Sequence, residues 1–145
     1  MFKHILIPTD GSELSAIAVK NGVRFAKEIN ARITGLTVTM PFHLLAGDAV
    51  QLTESPDEHQ RHAQARADAH LQLLRDEAGA AGVNCELLHR SAEHPYEEII
   101  KTAKEQDCDV IFLASHGRRG IAAVILGSET QKVLTHTKIP VLVFR

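Results

Sequence analysis

Short runs of apolar, mostly β-branched residues alternate along the chain with longer stretches in which apolar residues recur every three or four positions. The short runs are typical of buried strands, and the longer stretches are typical of amphipathic helices. The predicted strands are His4–Pro8, Ala31–Thr39, Val83–Arg90, Val110–Ala114 and Ile139–Phe144. Because strands joined by helices pair in parallel, the pattern predicts an α/β fold, an open five-stranded parallel sheet with helices on both faces.

Four helices are predicted between these strands. In the first, apolar or small residues follow one face at Leu14, Ala18, Gly22, Phe25 and Ile29. The second begins with a capping box formed by Ser55 and Glu58, and it ends at Gly82. The last is predicted to be capped by Ser128, with Gln131 in the reciprocal position.

The segment Met40–Glu54 is apolar, but Pro41 and Gly47 interrupt it, and its period fits neither a helix nor a strand. A loop of this length in a compact domain usually has a function. We interpret the segment as a lid or as part of an interface.

The composition narrows the classes of function. The length of 145 residues predicts one domain, and 16 Lys and Arg against 18 Asp and Glu leave no basic excess for binding nucleic acid. No run of apolar residues is long enough to span a membrane or to serve as a signal-peptide core, so a cytoplasmic protein is expected. Cys85 and Cys108 lack a Cys-x-x-Cys spacing and are predicted to be buried and unreactive.

Two loops that follow predicted strands carry the candidate chemistry. Pro8, Thr9 and Asp10 lead from the first strand into the first helix, and Gly127-Ser128 opens the last helix. In open α/β sheets, ligands bind beyond the carboxyl ends of the strands, and a helix N-terminus behind a glycine suits an anion such as phosphate. The alternative is that these residues only cap helices and turn the chain. Neither GxxxxGK[ST] nor a GxGxxG after the first strand is present.

The spacing around the fourth strand resembles that of the universal stress protein family. ATP-binding members of the family carry Gly-x2-Gly-x9-Gly-Ser/Thr, and residues 114–128 match this motif except at Ala114, where the family has glycine. The resemblance extends from ILIPTDGSELS near the start, through HPYEEI, to IPVLVF near the end. It implies one such domain over residues 1–145, with strand order 3-2-1-4-5.

The resemblance also implies a ligand and its contacts. The ligand would be ATP or AMP, with Mg²⁺ as a candidate companion ion, and its occupancy or slow hydrolysis would modulate an unidentified protein partner in a stress response. By resemblance, Asp10 and the backbone near Val38 hold the adenosine, while Leu113 and Ala114 line the floor. Gly117, Gly127, Ser128 and Glu129 then lie along the phosphates, with His116 nearby. The methyl group of Ala114 is expected to weaken binding without abolishing it.

Other functions remain open from the sequence. An enzyme would need a base, an acid pair or a nucleophile, and Asp10 is a lone carboxylate in these loops, so at most a weak ATPase is expected. A receiver domain or a flavodoxin shares the architecture, but the acidic pair and the aromatic residues that they need are missing. A nucleotide-free structural or signalling dimer is the remaining alternative.

Two further expectations concern partners and histidines. The strand Ile139–Phe144 is apolar on both faces and lies at a sheet edge in the family topology, which favours a homodimer through that edge. No metal site is expected, because His59 and His62 lack further ligands on neighbouring turns. The remaining histidines outside the loops are predicted at surface or turn positions: His4, His43, His70, His89, His94 and His136.

Overall fold

A computed structural model describes residues 1–43, 54–116 and 126–145, and within these ranges five strands and four helices alternate. The strands are β1 (His4–Pro8), β2 (Arg32–Thr39), β3 (Cys85–Ser91), β4 (Val110–Ala114) and β5 (Val141–Phe144). The helices are α1 (Glu13–Ile29), α2 (Pro56–Ala81), α3 (Pro95–Glu105) and α4 (Ser128–His136). Most of the predicted segment Met40–Glu54, and Gly117, lie outside the described residues.

All strand pairs are parallel, and their order in the sheet is β3-β2-β1-β4-β5. This confirms the predicted α/β fold and the strand order that the resemblance implied. The order reverses between β1 and β4, because β1 leads back to β2 on one side and β4 leads on to β5 on the other. The loops that follow β1 and β4 therefore leave the sheet side by side.

Apolar residues of the central strands are buried on both faces of the sheet. Ile5 and Ile7 pack with the cluster beneath α1 and α2, while Leu6 packs with the cluster beneath α3 and α4. All three side chains are fully buried, and burying an aliphatic side chain of this size contributes about 2 kcal/mol. The two clusters explain why β1 and β4 are almost wholly apolar, since strands covered on both faces have no solvent side.

The ends of the helices explain most of the differences in element bounds. At the end of α2, Gly82 is the C-cap in the left-handed region, as predicted, and the N–H of Val83 still bonds to the Ala78 carbonyl oxygen. Because Val83 completes this cap, β3 begins at Cys85, two residues later than predicted. Within the described ranges, none of the helices combines the length and the apolar composition that a bilayer-spanning segment needs.

Candidate ligand site at the carboxyl edge of the sheet

A dense set of hydrogen bonds orders the turn between β1 and α1. The N–H of Thr9 donates to the Leu36 carbonyl oxygen at 2.8 Å, which continues the pairing with β2 beyond the end of β1. The Thr9 hydroxyl bonds to that of Ser15 and accepts from the N–H of Gly11. The Asp10 carboxylate accepts from the N–H of Ser12 at 3.0 Å. The turn thus presents Asp10, which is partly buried, in a fixed place beside the sheet edge.

Gly11 makes this turn possible in two ways. Its φ is +73°, a left-handed conformation that side-chain-bearing residues adopt only with strain. The imidazole of His70, from α2, also packs directly on it, since a Cβ built on Gly11 would lie 2.8 Å from Nε2 of His70. On its other side, Nδ1 of His70 lies 3.4 Å from the hydroxyl of Thr37, near the end of β2.

Three histidines therefore depart from their predicted surface or turn positions. His4 is 4% exposed, its Nε2 lies 2.8 Å from the hydroxyl of Thr34, and burial lowers the pKa of its imidazole. His70 and His89 are partly buried against β2. For His70 the helical period held a signal, because it lies three residues after Ala67 and four before Leu74, on the flank of the buried stripe of α2.

The start of α4 packs closely on the end of β4. Gly127 donates its N–H to the Ser115 carbonyl oxygen at 2.8 Å. A Cβ on Gly127 would lie 3.2 Å from that oxygen and 3.3 Å from Cα of His116, so glycine permits the approach. The hydroxyl of Thr130 donates to the Ala114 carbonyl oxygen at 3.0 Å. These contacts hold the first turn of α4 against the carboxyl end of β4.

The prediction that Ser128 caps α4 is wrong. The N-cap is Gly127, with φ −58° and ψ 149°, and Ser128 is the first helical residue, with an exposed side chain. The side chain of Gln131 donates to the Leu126 carbonyl oxygen. In the parts of the chain that the structure describes, no acceptor bonds to the N–H groups of residues 128–130. Such free donors, at the positive end of the helix dipole, suit an anion.

Glu129 turns away from this helix end. Its Oε2 accepts from the N–H of Tyr96 at 2.9 Å, in the first turn of α3, and its Oε1 accepts from Nζ of Lys132 at 3.0 Å. The carboxylate thereby caps a neighbouring helix and is paired with an ammonium group. Both contacts draw its negative charge away from the free N–H groups of α4.

The remaining predicted site residues lie at or below the same edge. Leu113 is buried and Val38 half-buried in the cluster beneath α3 and α4, whereas the methyl group of Ala114 packs with the opposite cluster. Nδ1 of His116 lies 3.1 Å from the Ser115 hydroxyl. The predicted residues thus fall into two groups at this edge. Pro8 ends β1 and leads into Thr9 and Asp10, while Ala114 to His116 meet Gly127 at the end of β4. The side chain of Glu129 is bonded to α3 instead.

The described residues contain neither a reactive thiol nor a cluster of metal-ligating side chains. Burial raises the pKa of both cysteine thiols, Cys85 and Cys108, to about 11, so both stay protonated at neutral pH. Within residues 1–43, 54–116 and 126–145, no three His, Cys, Asp or Glu side chains are grouped as metal ligands would be.

This geometry is that of an open α/β protein with a candidate ligand site where the strand order reverses. The chain belongs to the universal stress protein family, whose profile matches residues 1–145. It is similar to universal stress protein YxiE of Bacillus subtilis, with 30% identity over 149 aligned positions that cover all of both chains. It is also 28% identical to universal stress protein MJ0531 of Methanocaldococcus jannaschii, covering 100% of this chain and 83% of that protein.

Solved structures agree with this assignment. The structure of MJ0577 of Methanocaldococcus jannaschii matches with a TM-score of 0.83 at 28% identity, covering 99% of this chain and 95% of that one. A universal stress protein in complex with cAMP matches with a TM-score of 0.70 at 24% identity, covering 99% and 97% of the two chains. A universal stress protein from Archaeoglobus fulgidus in complex with dAMP matches at 0.65 and 16%, covering 100% and 98%. The last two likenesses establish the shared fold.

Proposed function

We propose that this chain binds an adenine nucleotide, ATP or AMP, across the carboxyl ends of β1 and β4, and that its occupancy modulates a protein partner in a stress response. In this proposal residues 1–145 act as one domain. The observation that carries the proposal is the first turn of α4, whose N–H groups bond to no acceptor among the described residues and which is held against β4 beside the Asp10 turn. Binding, with at most slow hydrolysis, is the activity proposed.

The ligand's orientation follows from the chemistry of the two loops. Phosphate oxygens need hydrogen-bond donors and positive potential, and the first turn of α4 offers N–H groups, the positive end of its dipole and the hydroxyl of Ser128. The adenosine then lies towards Asp10 and the end of β2 near Val38, over Leu113 and Ala114. A Mg²⁺ ion bound to ATP would lie beside the phosphates.

Family relatives support the class of ligand. One universal stress protein with this fold binds cAMP and another binds dAMP, so the fold can hold an adenine nucleotide. The case for this chain rests on its own two loops.

Identification of the co-purified nucleotide tests the proposal directly. Native mass spectrometry of the purified chain is expected to show a bound adenine nucleotide, and equilibrium dialysis of the stripped protein is expected to show saturable binding of ATP or AMP. GTP serves as the control for non-specific phosphate binding. A stripped protein that binds neither ATP nor AMP at millimolar concentration contradicts the proposal.

A nucleotide-free structural dimer is the second candidate, and Ala114 is the feature that favours it. The methyl group of Ala114 packs with the apolar cluster beneath α1 and α2, which is consistent with a crevice that still admits a nucleotide. The sequence alone predicts that this methyl group weakens binding. With the methyl group packed in this way, we instead expect Ala114→Gly to leave ATP affinity within about twofold and to lower the free energy of unfolding by about 1 kcal/mol. A large gain in affinity would show that the methyl crowds the ligand.

We also propose a homodimer through the edge strand β5. The strand is the last in the sheet order, and Leu142 is 37% exposed on it. Its free edge can pair with a second copy around a two-fold axis. Leu142→Lys is expected to give monomers in sedimentation, because the interface would bury an unpaired ammonium. Leu134→Lys is the matched control, since Leu134 on α4 is 39% exposed. A monomeric wild type at micromolar concentration rules out this interface.

A further inference from the structure

His70 occupies a place that the proposed contacts to the nucleotide do not include. It projects from α2 into the gap between the β1–α1 turn and the end of β2, beneath the loop that presents Asp10. We propose that His70 is a positioning residue of the nucleotide site, whose imidazole supports the Asp10–Gly11 turn and thereby sets where Asp10 meets the ligand. This inference rests on the proposed function and deepens it.

The contacts of the His70 imidazole indicate that it supports the Asp10–Gly11 turn from the side of α2. One edge of the imidazole, with Nδ1, faces the hydroxyl of Thr37, which is only 1% exposed and belongs to β2, between β1 and β3 in the sheet. The opposite edge, with Cδ2 and Nε2, faces the backbone of Gly11 closely enough to leave no room for a Cβ. The ring thus fills the space between a fixed strand and the turn.

Other contacts hold the turn at both ends. The bond from Thr9 N–H to Leu36 holds its first residue to β2, and the bond between the Thr9 and Ser15 hydroxyls holds that residue to α1. At the other end, the hydroxyl of Ser12 caps α1 and accepts from the N–H of Ser15. Between these anchors Gly11 packs against the imidazole, so the ring bears on where the turn lies over α2.

Hydrogen exchange of the nucleotide-free protein tests the support without any ligand. In His70→Ala, the N–H groups of Gly11 and Ser12, which bond to Thr9 and Asp10, are expected to exchange about tenfold faster than in the wild type. His62→Ala is the matched control, since it removes an exposed imidazole from the same helix. Exchange at the wild-type rate in folded His70→Ala would overturn the inference.

ATP affinity tests the link to the site. His70→Ala is expected to weaken ATP binding about fivefold, with His62→Ala unchanged, because a turn without its support populates positions in which Asp10 misses the ligand. Faster exchange together with unchanged ATP affinity would also overturn the inference, since the ring would then support the turn and not the site. A wild type that binds neither ATP nor AMP defeats the proposed function, and the exchange rates still report separately on the support.

A double-mutant cycle shows whether the contact itself is responsible. Gly11→Ala alone is expected to weaken ATP binding, because its Cβ meets the imidazole and its φ is unfavourable for alanine. In the His70→Ala background, the loss of ATP affinity caused by Gly11→Ala is expected to be about threefold smaller than in the wild type, because the imidazole that the Cβ would meet is absent. Strictly additive effects would contradict direct support of Gly11 by His70.

Discussion

The first turns of α2 and α4 carry similar sequences but are completed in different ways. In α2 the hydroxyl of Ser55 accepts from the N–H of Glu58, and the Glu58 carboxylate accepts from the N–H of Ser55 at 2.8 Å. In α4 the corresponding residues, Ser128 and Gln131, form no such pair, and the N-cap lies one residue earlier, at Gly127. One helix start is satisfied internally, and the other has N–H groups that find no acceptor in residues 1–43, 54–116 and 126–145.

The difference arises from what lies in front of each helix. Gly127 bonds to Ser115 and packs on His116, so the chain enters α4 along the end of β4 and Ser128 falls inside the helix, where it cannot cap. Ser55 is exposed and keeps the extended conformation of an N-cap, with φ −75° and ψ 161°. A local capping pattern is therefore decisive only where no tertiary contact fixes the entry of the chain.

Gly127→Glu is expected to have the largest effect. Its side chain meets the backbone of Ser115 and His116 and brings a negative charge to the free N–H groups, so ATP affinity should fall at least about 100-fold in calorimetry. Gly79→Glu is the matched control, because a Cβ on Gly79 meets nothing within 4 Å. Circular dichroism checks that both variants are folded. Wild-type affinity in Gly127→Glu would remove α4 from the site.

Ser55→Ala is expected to lower stability and leave binding unchanged. The loss of the cap hydroxyl exposes one unsatisfied N–H at the start of α2, which costs about 1 kcal/mol in the free energy of unfolding. Chemical denaturation measures the loss, and ATP affinity provides the comparison. Unchanged stability would show that the capping box contributes nothing in solution.

Ser128→Ala is expected to give the reverse result. The hydroxyl caps nothing, so the free energy of unfolding should stay within about 0.5 kcal/mol of the wild type. If the hydroxyl binds phosphate as proposed, ATP affinity should fall about fivefold. A loss of stability equal to that of Ser55→Ala would mean that Ser128 acts as a cap after all.

The smallest expected difference between the two helix starts is in their response to acid. The backbone N–H of Ser55, and then its hydroxyl, lower the pKa of Glu58 below its ordinary value. A lowered carboxyl pKa gives stability that is present above the unfolded-state pKa and is lost as the pH falls through the folded-state pKa. The Ser55 amide shift in NMR should therefore titrate in acid, and the change should vanish in Glu58→Gln. At α4 the corresponding side chain is Gln131, which donates to the Leu126 carbonyl oxygen and carries no titratable group. A similar acid titration of the NMR shifts around Leu126 is therefore not expected.

The sequence predicted the fold well because its elements are decided locally. The bounds of β1 and β4 agree with the pattern, since both strands are covered on two faces and therefore read as continuous apolar runs. The start of β5 differs because Ile139 donates its N–H to the Thr137 hydroxyl and stays outside the ladder, which begins at Val141. Such side-chain bonds at element ends leave no periodic signal.

The site was predictable in its two loops and not in what supports them. The position of Asp10 and Gly127 follows from strand order, because the loops after β1 and β4 must meet at the reversal. The role of Glu129 as a cap for α3, and the place of His70 under Gly11, depend on helices packed from elsewhere in the chain. Spacing along a sequence carries no information on such contacts between separate helices.

The pairing of β1 with β4 has a consequence for the order in which the molecule is built. Ile5 pairs with Val110, and the N–H of Lys3 donates to Asp109, 106 residues further along the chain. During synthesis β1 can pair with β2 across 28 residues (His4 with Arg32) and β2 with β3 across 52 residues (Ile33 with Cys85), whereas the seam to β4 must wait for most of the chain and then close a longer loop. Because the Asp10 turn lies on one side of that seam and Gly127 on the other, the proposed binding edge is completed last, when the second half of the sheet docks.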